Sequence, residues 1–278
     1  MQHRSLVKQK PIAHDILAQI GATPLLDLSA FAHAQGVAPG VEIFAKAEWF
    51  NPGGSVKARA ALQLVVEAEA AGLLCQRGIV VNDTLRCWGL NDFGQLGDGT
   101  TTDRILPNPV GTATWKAVDA GDSHACAIRS DDTLWCWGFN GNGQLGDGST
   151  NARLSPVQVG TASWKAVDAG GNHTCAIRSD DTLWCWGYGL SGQLGVGSTV
   201  DKLTPTKVGT ATWKSVSTGA DRTCGVRAAG PLWCWGKNAD GQLGRGSTTP
   251  STSPVQIGTL TTWKSVVAGP NQSYGLLS

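Results

Sequence analysis

Chemistry in this 278-residue chain starts with its eight cysteines. Six of them form three pairs at a constant separation: Cys126 with Cys136, Cys175 with Cys185, and Cys224 with Cys234. Between the members of the first pair lies Ser130-Asp131-Asp132, a turn-forming run flanked by short apolar stretches, which reads as a hairpin. Putting Cys126 opposite Cys136 also puts Ala125 opposite Trp137, Ala127 opposite Trp135 and Ile128 opposite Leu134. The other two copies obey the same register, with Thr174–Trp186 and Ala176–Trp184 in one, Thr223–Trp235 and Gly225–Trp233 in the other. Small residues then face tryptophans on one side of each hairpin and two cysteines meet on the other. A slip of one residue would break every pair. Directly opposed Cα atoms lie about 4.5–5.5 Å apart, within disulfide reach. Three disulfides are therefore expected, and three pairs of buried thiols are the plainer alternative.

Two other chemistries are open to these residues. His124 shares a face with Cys126 and Cys136, as His173 does with Cys175 and Cys185, which is a partial zinc set. Arg222 takes the histidine position in the next copy and no fourth ligand is present, so no metal is expected. Asp98 and Asp147 sit in glycine-rich loops of a kind that can hold calcium, but Val196 and Arg245 replace them elsewhere, so solvated turns are expected instead.

The elements that carry these residues repeat. Cys-Trp-Gly recurs at Cys87, Cys136, Cys185 and Cys234, and Gly-Gln-Leu-Gly at Gly94, Gly143, Gly192 and Gly241, both with a period of 49. Trp-Lys falls at Trp115, Trp164, Trp213 and Trp263, spaced 49, 49 and 50. In one repeat, Trp115–Ala120, His124–Arg129, Thr133–Trp137 and Pro156–Val159 read as four strands, the content of a propeller blade. The end copies are incomplete. Arg77 stands opposite Cys87 in the first, with Cys75 diagonal to it, and Tyr274 replaces the cysteine in the last. The array either closes by pairing Ser273–Leu277 with Leu85–Gly89, bringing Tyr274 beside Cys87, or stays an open arc in which Gly78–Val81 folds back on Thr84–Trp88 with Ile79 opposite Leu85. Local pairing costs less loop entropy, so the arc is expected, with an exposed strand edge open to self-association.

Residues 1–80 differ in kind. Pro11–Ile20 reads as a helix, Pro24–Leu28 and Val41–Trp49 as strands, and Gly78–Val81 as another strand. Ser55 can cap a helix running through residues 56–71, with Ala61, Leu64, Val65 and Ala68 on one stripe and Gly72 past its end. Gly53-Gly54 ahead of that helix would suit an anion, but on spacing alone a plain turn and N-cap is the expected reading.

Two family resemblances follow from these motifs. Ile20–Phe31 and Val41–Leu62, with their Asn-Pro-Gly-Gly-Ser-x-Lys segment, resemble the opening of cysteine synthase and its pyridoxal-phosphate-dependent relatives. The resemblance implies that Lys57 binds the cofactor and that residues 1–80 are a truncated α/β domain. The resemblance implies a Thr-Ser-Gly-Asn-Thr type loop directly after the strand at Gly78–Val81, where this chain has Asn82–Trp88, and the phosphate loop and ring-nitrogen partner are missing. A lysine without that pocket is a solvated amine, so no catalytic residue and no working enzyme are expected. Residues 82–278 resemble the regulator of chromosome condensation repeat, in a double-cysteine form most like bacterial members. That resemblance implies a mainly β propeller-type array of about four blades that works by binding proteins.

The totals agree with a binder. Net charge is +1 and 15% of residues are charged, which leaves no footprint for nucleic acid or anionic membrane. No apolar run reaches about 18 residues, so no membrane span is expected. No secretory signal is visible, which points to the cytoplasm, whereas paired cysteines suit an oxidising compartment. The reading is a protein-interaction module with a catalytically incomplete N-terminal segment and an unknown protein partner. Its rivals are a pyridoxal-phosphate-dependent lyase or transferase and a non-functional fusion joined near Val81-Asn82. The contact points expected are the varied loops Leu90–Phe93, Phe139–Asn142, Tyr188–Ser191 and Lys237–Asp240.

Overall fold

In the computed structural model the described residues are the strands at 25–27, 42–46, 64–67 and 79–81, then 84–269 and 271–278. They form two compact units, Met1–Gly72 and Leu73–Ser278. In the first unit, β1 (Leu25–Asp27), β2 (Glu42–Lys46) and β3 (Leu64–Glu67) make an antiparallel sheet in that order. β3 is a correction, because a helix is expected over residues 56–71. Its Leu-Val-Val core carries two β-branched residues, and pairing with β2 (Phe44 opposite Val65) outweighs the helical stripe. Lys57, Gly53-Gly54 and the helix expected at Pro11–Ile20 lie outside the described residues.

The second unit is built from antiparallel strands. β4 (Ile79–Val81) pairs with β5 (Thr84–Gly89), which pairs with the front half of β6 (Arg104–Ala120). Three full blades follow. The rear half of β6 joins β7 (His124–Arg129), β8 (Thr133–Gly138) and the front of β9 (Arg153–Ala169). The rear of β9 joins β10 (His173–Arg178), β11 (Thr182–Gly187) and the front of β12 (Lys202–Thr218). The rear of β12 joins β13 (Arg222–Arg227), β14 (Leu232–Gly236) and β15 (Ser251–Gln256). Last come β16 (Trp263–Ala268) and β17 (Ser273–Leu277), paired with each other.

Every hairpin pair expected between the cysteine and Cys-Trp-Gly strands is present, including Cys126–Cys136, Cys175–Cys185 and Cys224–Cys234. The strand count per repeat differs. The Pro-Val and Trp segments are not two strands but one 17-residue strand that serves two blades. Gly111, Gly160 and Gly209 make this possible: at φ of 62°, 60° and 59° each turns the strand from one blade to the next. In the last copy, with its extra residue, the long strand is broken into β15 and β16.

The array is an open arc: among the described residues β17 pairs with β16 alone, and β5 with β4 and β6. The expected register of β4 is off by one. Val80, not Ile79, opposes Leu85, and Val81 opposes Thr84, which leaves only residues 82 and 83 between the strands, the preferred hairpin length.

The core lies between blades rather than within them. Cys126, Ile128, Leu134 and Cys136 of one blade pack against Trp164, Ala176 and Trp186 of the next, all at most 1% exposed. Both faces of each blade are thus apolar, one with the cysteine pair and one with tryptophans and small residues, and neither is buried until a neighbour arrives.

Candidate functional site

The cysteine pairs lie at disulfide distance, with S–S separations of 2.14, 2.13 and 2.10 Å. His124 is not arranged for metal. Its Nε2 lies 2.9 Å from Thr174 Oγ1, and the Thr174 hydroxyl donates to the Gln144 carbonyl at 2.8 Å. The hydroxyl proton is committed there, so Oγ1 accepts from the imidazole and Nε2 carries the proton. Nδ1 is left buried with no partner. His173, Thr223 and Gln193 repeat this at 2.9 and 2.8 Å. Burial holds the His124 pKa down to about 4; burial and then the neighbouring His124 hold His173 to about 3. In the last copy Arg222 Nε donates to Ser273 Oγ at 3.1 Å, and Ser273 donates to the Gln242 carbonyl at 2.9 Å. The histidine position is therefore a link between blades.

The same glutamine carbonyls anchor the tryptophans. Trp137 Nε1 donates to Gln95 O, Trp186 to Gln144 O and Trp235 to Gln193 O, each at 2.9 Å. Each indole lies over the last glycine of the preceding Gly-Gln-Leu-Gly. A Cβ on Gly97, Gly146 or Gly195 would come within 2.5–2.7 Å of the indole nitrogen, and all three have positive φ. The motif is thus a socket for the next blade's tryptophan.

The loops between the Cys-Trp-Gly strands and the long strands are held from inside. Asn91 Nδ2 donates to the carbonyls of Thr100 and Thr102, both at 3.0 Å, and its Oδ1 accepts from Leu96 N at 3.0 Å. Asn140 and Asn238 do the same in their repeats. Gly189 replaces the asparagine in the third loop, where Asp201 accepts from the Gly189 N–H at 2.8 Å, as Asp103 does from the Asn91 N–H in the first. Asp98 and Asp147 brace their loops by accepting from Thr100 and Arg104 and from Ser149 and Arg153. For both carboxyls burial pushes the pKa up, but these hydrogen bonds outweigh it and hold the pKa below the ordinary value.

The expected contact loops share one end of the blades. Leu90, Phe93 and Leu190 are exposed there, with Val200 from the same loop as Leu190. Phe93 meets Phe139 of the next loop edge-on, ring centres 5.0 Å apart. A groove of about 350 Å³ runs between the third and fourth loops, lined by Leu190, Ser191, Lys237, Ala239 and Pro250 among others. The hairpin turns at the opposite ends of the strands are polar, with Lys116 paired to Asp132 and Lys165 to Asp181. The inter-blade links, the indole socket and the asparagine brace are absent from the sequence expectations. Their signal was positional identity across repeats, at His124 and His173, at the four glutamines, and at Asn91, Asn140 and Asn238.

Comparison with known proteins bears on both units. A family model described as the regulator of chromosome condensation (RCC1) repeat matches residues 84–128, 131–177, 180–226 and 229–276. A model for pyridoxal-phosphate dependent enzymes matches residues 16–84. Cysteine synthase 1 of Neurospora crassa is 47% identical over 77 residues, 28% of this chain and 19% of that protein. Cystathionine beta-synthase of Oryctolagus cuniculus is 39% identical over 83 residues, 30% of this chain and 15% of that protein. The chain spans a fifth or less of the length of these curated relatives. Among solved structures, Prp20p from Saccharomyces cerevisiae, described with its binding to Gsp1p and histones, has a TM-score of 0.65 at 21% identity. That match covers 71% of this chain and 52% of the yeast chain. Human WBSCR16 has a TM-score of 0.68 at 20% identity, covering 76% and 59%. Yeast RCC1 (Prp20) bound to Kap60 has a TM-score of 0.66 at 20% identity, covering 76% and 55%. At these identities the structural likeness is one of fold.

Proposed function

The chain belongs to the regulator of chromosome condensation repeat family, and from that premise we propose that it is a protein-binding module whose loop face makes the contact. The carrying observation is the apolar strip on that face: Leu90, the Phe93–Phe139 pair and the Leu190 groove, on loops braced by buried Asn91, Asn140 and Asn238 and, in the third loop, by Asp201. Exposed aromatic and aliphatic side chains on preorganised loops bind at small ordering cost. The structural neighbours named with Gsp1p, histones and Kap60 are protein binders, which supports the class of partner and identifies none for this chain. The test compares proteins captured by the immobilised chain and by a Phe93→Ser/Leu190→Ser variant. Loss of a discrete captured protein in the variant is expected. A capture profile that the two substitutions leave unchanged removes the loop face from the account. We also read the paired cysteines as those of a protein that works in an oxidising compartment.

A second reading rests on the match of residues 16–84 to pyridoxal-phosphate dependent enzymes, with Lys57 as the cofactor's attachment point. When bound, that cofactor serves as an electron sink for reactions at an amino acid's carbons. The matched segment is too short a part of such enzymes to bring a complete pocket, so we read it as non-catalytic. Pyridoxal phosphate added to the purified chain should give no visible band that Lys57→Ala abolishes. The two family matches meet at residue 84, as a fusion would have them meet. Amplification across that junction from source DNA tests whether it is genuine.

A further inference from the structure

We propose that the hairpin turn of the fourth copy is an anion site, in which Lys214 and the indole-stacked guanidinium of Arg227 hold a phosphate-type dianion. The turn between β13 and β14 has two sisters, one between β7 and β8 and one between β10 and β11. The sisters read Ser-Asp-Asp-Thr, at 130–133 and 179–182, whereas the fourth copy reads Ala228-Ala229-Gly230-Pro231. Two carboxylates and a hydroxyl are lost together, while the donors that use them stay.

The backbone of the three turns is alike. Gly230 stands at φ 97°, where Asp132 and Asp181 stand at 69° and 68°. Gly230 N–H donates to the Arg227 carbonyl at 2.8 Å, as Asp132 does to Arg129 and Asp181 to Arg178, both at 3.0 Å. The difference between the turns therefore lies in their side chains.

Three donors recur in every copy. The first is the lysine after the long strand's tryptophan. Lys116 pairs with Asp132 and Lys165 with Asp181, each 16 residues further on. At that distance from Lys214 stands Gly230, and Lys214 is exposed with no carboxylate paired to it among the described residues. The second is an arginine. Arg129, Arg178 and Arg227 lay their guanidiniums over Trp135, Trp184 and Trp233, at 3.5, 3.6 and 3.6 Å from the ring centres. Burial lowers the pKa of both Arg178 and Arg227; the Asp180 charge pulls Arg178 back up, and no carboxylate does so for Arg227. The third is the indole itself. Trp135 Nε1 donates to Thr133 Oγ1 and Trp184 Nε1 to Thr182 Oγ1, both at 2.8 Å. With Pro231 at the threonine position, Trp233 Nε1 is buried and bare.

Charge decides the ligand. Lys116 and Arg129 share their turn with two aspartates, as do Lys165 and Arg178, so both sister turns are neutral. Lys214 and Arg227 share theirs with none, and this turn carries two positive charges. A ligand that restores the balance brings two negative charges and acceptor oxygens in several directions. A phosphate dianion meets both requirements and a single carboxylate meets neither. The guanidinium suits the task, because stacking on the indole fixes its plane and its weak hydration makes it easy to strip of water. Lys214 adds a compact charge on a flexible stem that closes over the anion from the solvent side.

Titration of the full chain with inorganic phosphate tests this, followed by phosphorus NMR line broadening at constant ionic strength and about pH 8, where the anion is doubly charged. One saturable site is expected. Lys214→Met should weaken it about tenfold, and so should Ala229→Asp, which returns an acid of the sister turns at an exposed position without positive φ. Grafting the fourth turn onto the second copy, by Asp131→Ala/Asp132→Gly/Thr133→Pro, should create a second site. Methyl phosphate separates the two sources of the anion: binding as tight as that of phosphate assigns the site to phosphate esters, and weaker binding assigns it to the free ion. Absence of saturation overturns the proposal. So does a site that Lys214→Met and Ala229→Asp leave unchanged while their urea midpoints show them folded, or a folded graft that gains no second site.

Discussion

His124 and His173 are the residues through which solution conditions reach the core. Each uses Nε2–H on a threonine hydroxyl of the next blade and leaves Nδ1 buried and bare. Protonation would put an unpaired donor and a charge between blades. The unfolded chain binds that proton near pH 6.5, whereas the folded chain resists down to about 4 at His124 and about 3 at His173. Above pH 6.5 both states are neutral and the histidines contribute no pH dependence. As pH falls below 6.5 the unfolded state holds more protons, and stability drops by up to about 1.4 kcal/mol per pH unit for each histidine. Urea midpoints measured from pH 7 to 4 should fall along that slope and flatten in His124→Gln/His173→Gln, whose amides still donate to threonine. An unchanged slope in the double variant would place the acid sensitivity elsewhere. Gly146 gives a second test at this scale. Ala there meets both a positive φ and the Trp186 nitrogen at 2.6 Å, for an expected cost of about 2–4 kcal/mol. Gly160→Ala meets only the φ, with open space around it, and should cost about 1–2 kcal/mol. Equal losses in urea would mean that the socket is not tight.

At the scale of elements, the hairpins were legible from sequence because their pairs are chemically distinctive. Cysteine met cysteine and small residues met tryptophan in the expected register in all three copies. The long strands were not legible, because the Pro-Val and Trp segments are separated by a glycine that reads equally as a turn or a bend. The segment around Leu64–Glu67 was misread because one apolar run satisfies a helical stripe and a short buried strand alike, and periodicity alone does not choose. The shift at Ile79 arose because turn length sets register at a hairpin with few distinctive pairs. Each cysteine pair spans ten residues, so a disulfide there should add about 2–3 kcal/mol by restricting the unfolded hairpin. Arg129, Arg178 and Arg227 lie between the paired cysteines, so trypsin cuts inside every hairpin. Non-reducing digests should contain the three linked peptide pairs, and reduction should lower the urea midpoint. Alkylation of Cys126 and Cys136 in unreduced, unfolded protein would contradict the pairing.

For the whole molecule, the packing of unlike blade faces makes each repeat depend on its neighbours, so stability should spread from the three full blades toward the ends. Trp186→Ala, at the centre, should therefore cost about 3–5 kcal/mol, and Trp263→Ala, in the last half-blade, clearly less, as read from urea unfolding. The braces and sockets also fix where the loops stand, and that rigidity makes the loop face a binding surface. Its composition was legible only as four variable stretches. Which residues were exposed depended on the packing of adjacent loops: Phe139 rests partly against Phe93, whereas Leu190 faces the groove. A photoreactive amino acid placed at Leu190, compared with one at Lys214 toward the other end of the blades, asks directly whether this face binds protein. A discrete adduct at Leu190 and none at Lys214 is predicted; equal labelling at both positions, or an adduct at Lys214 alone, would contradict the account.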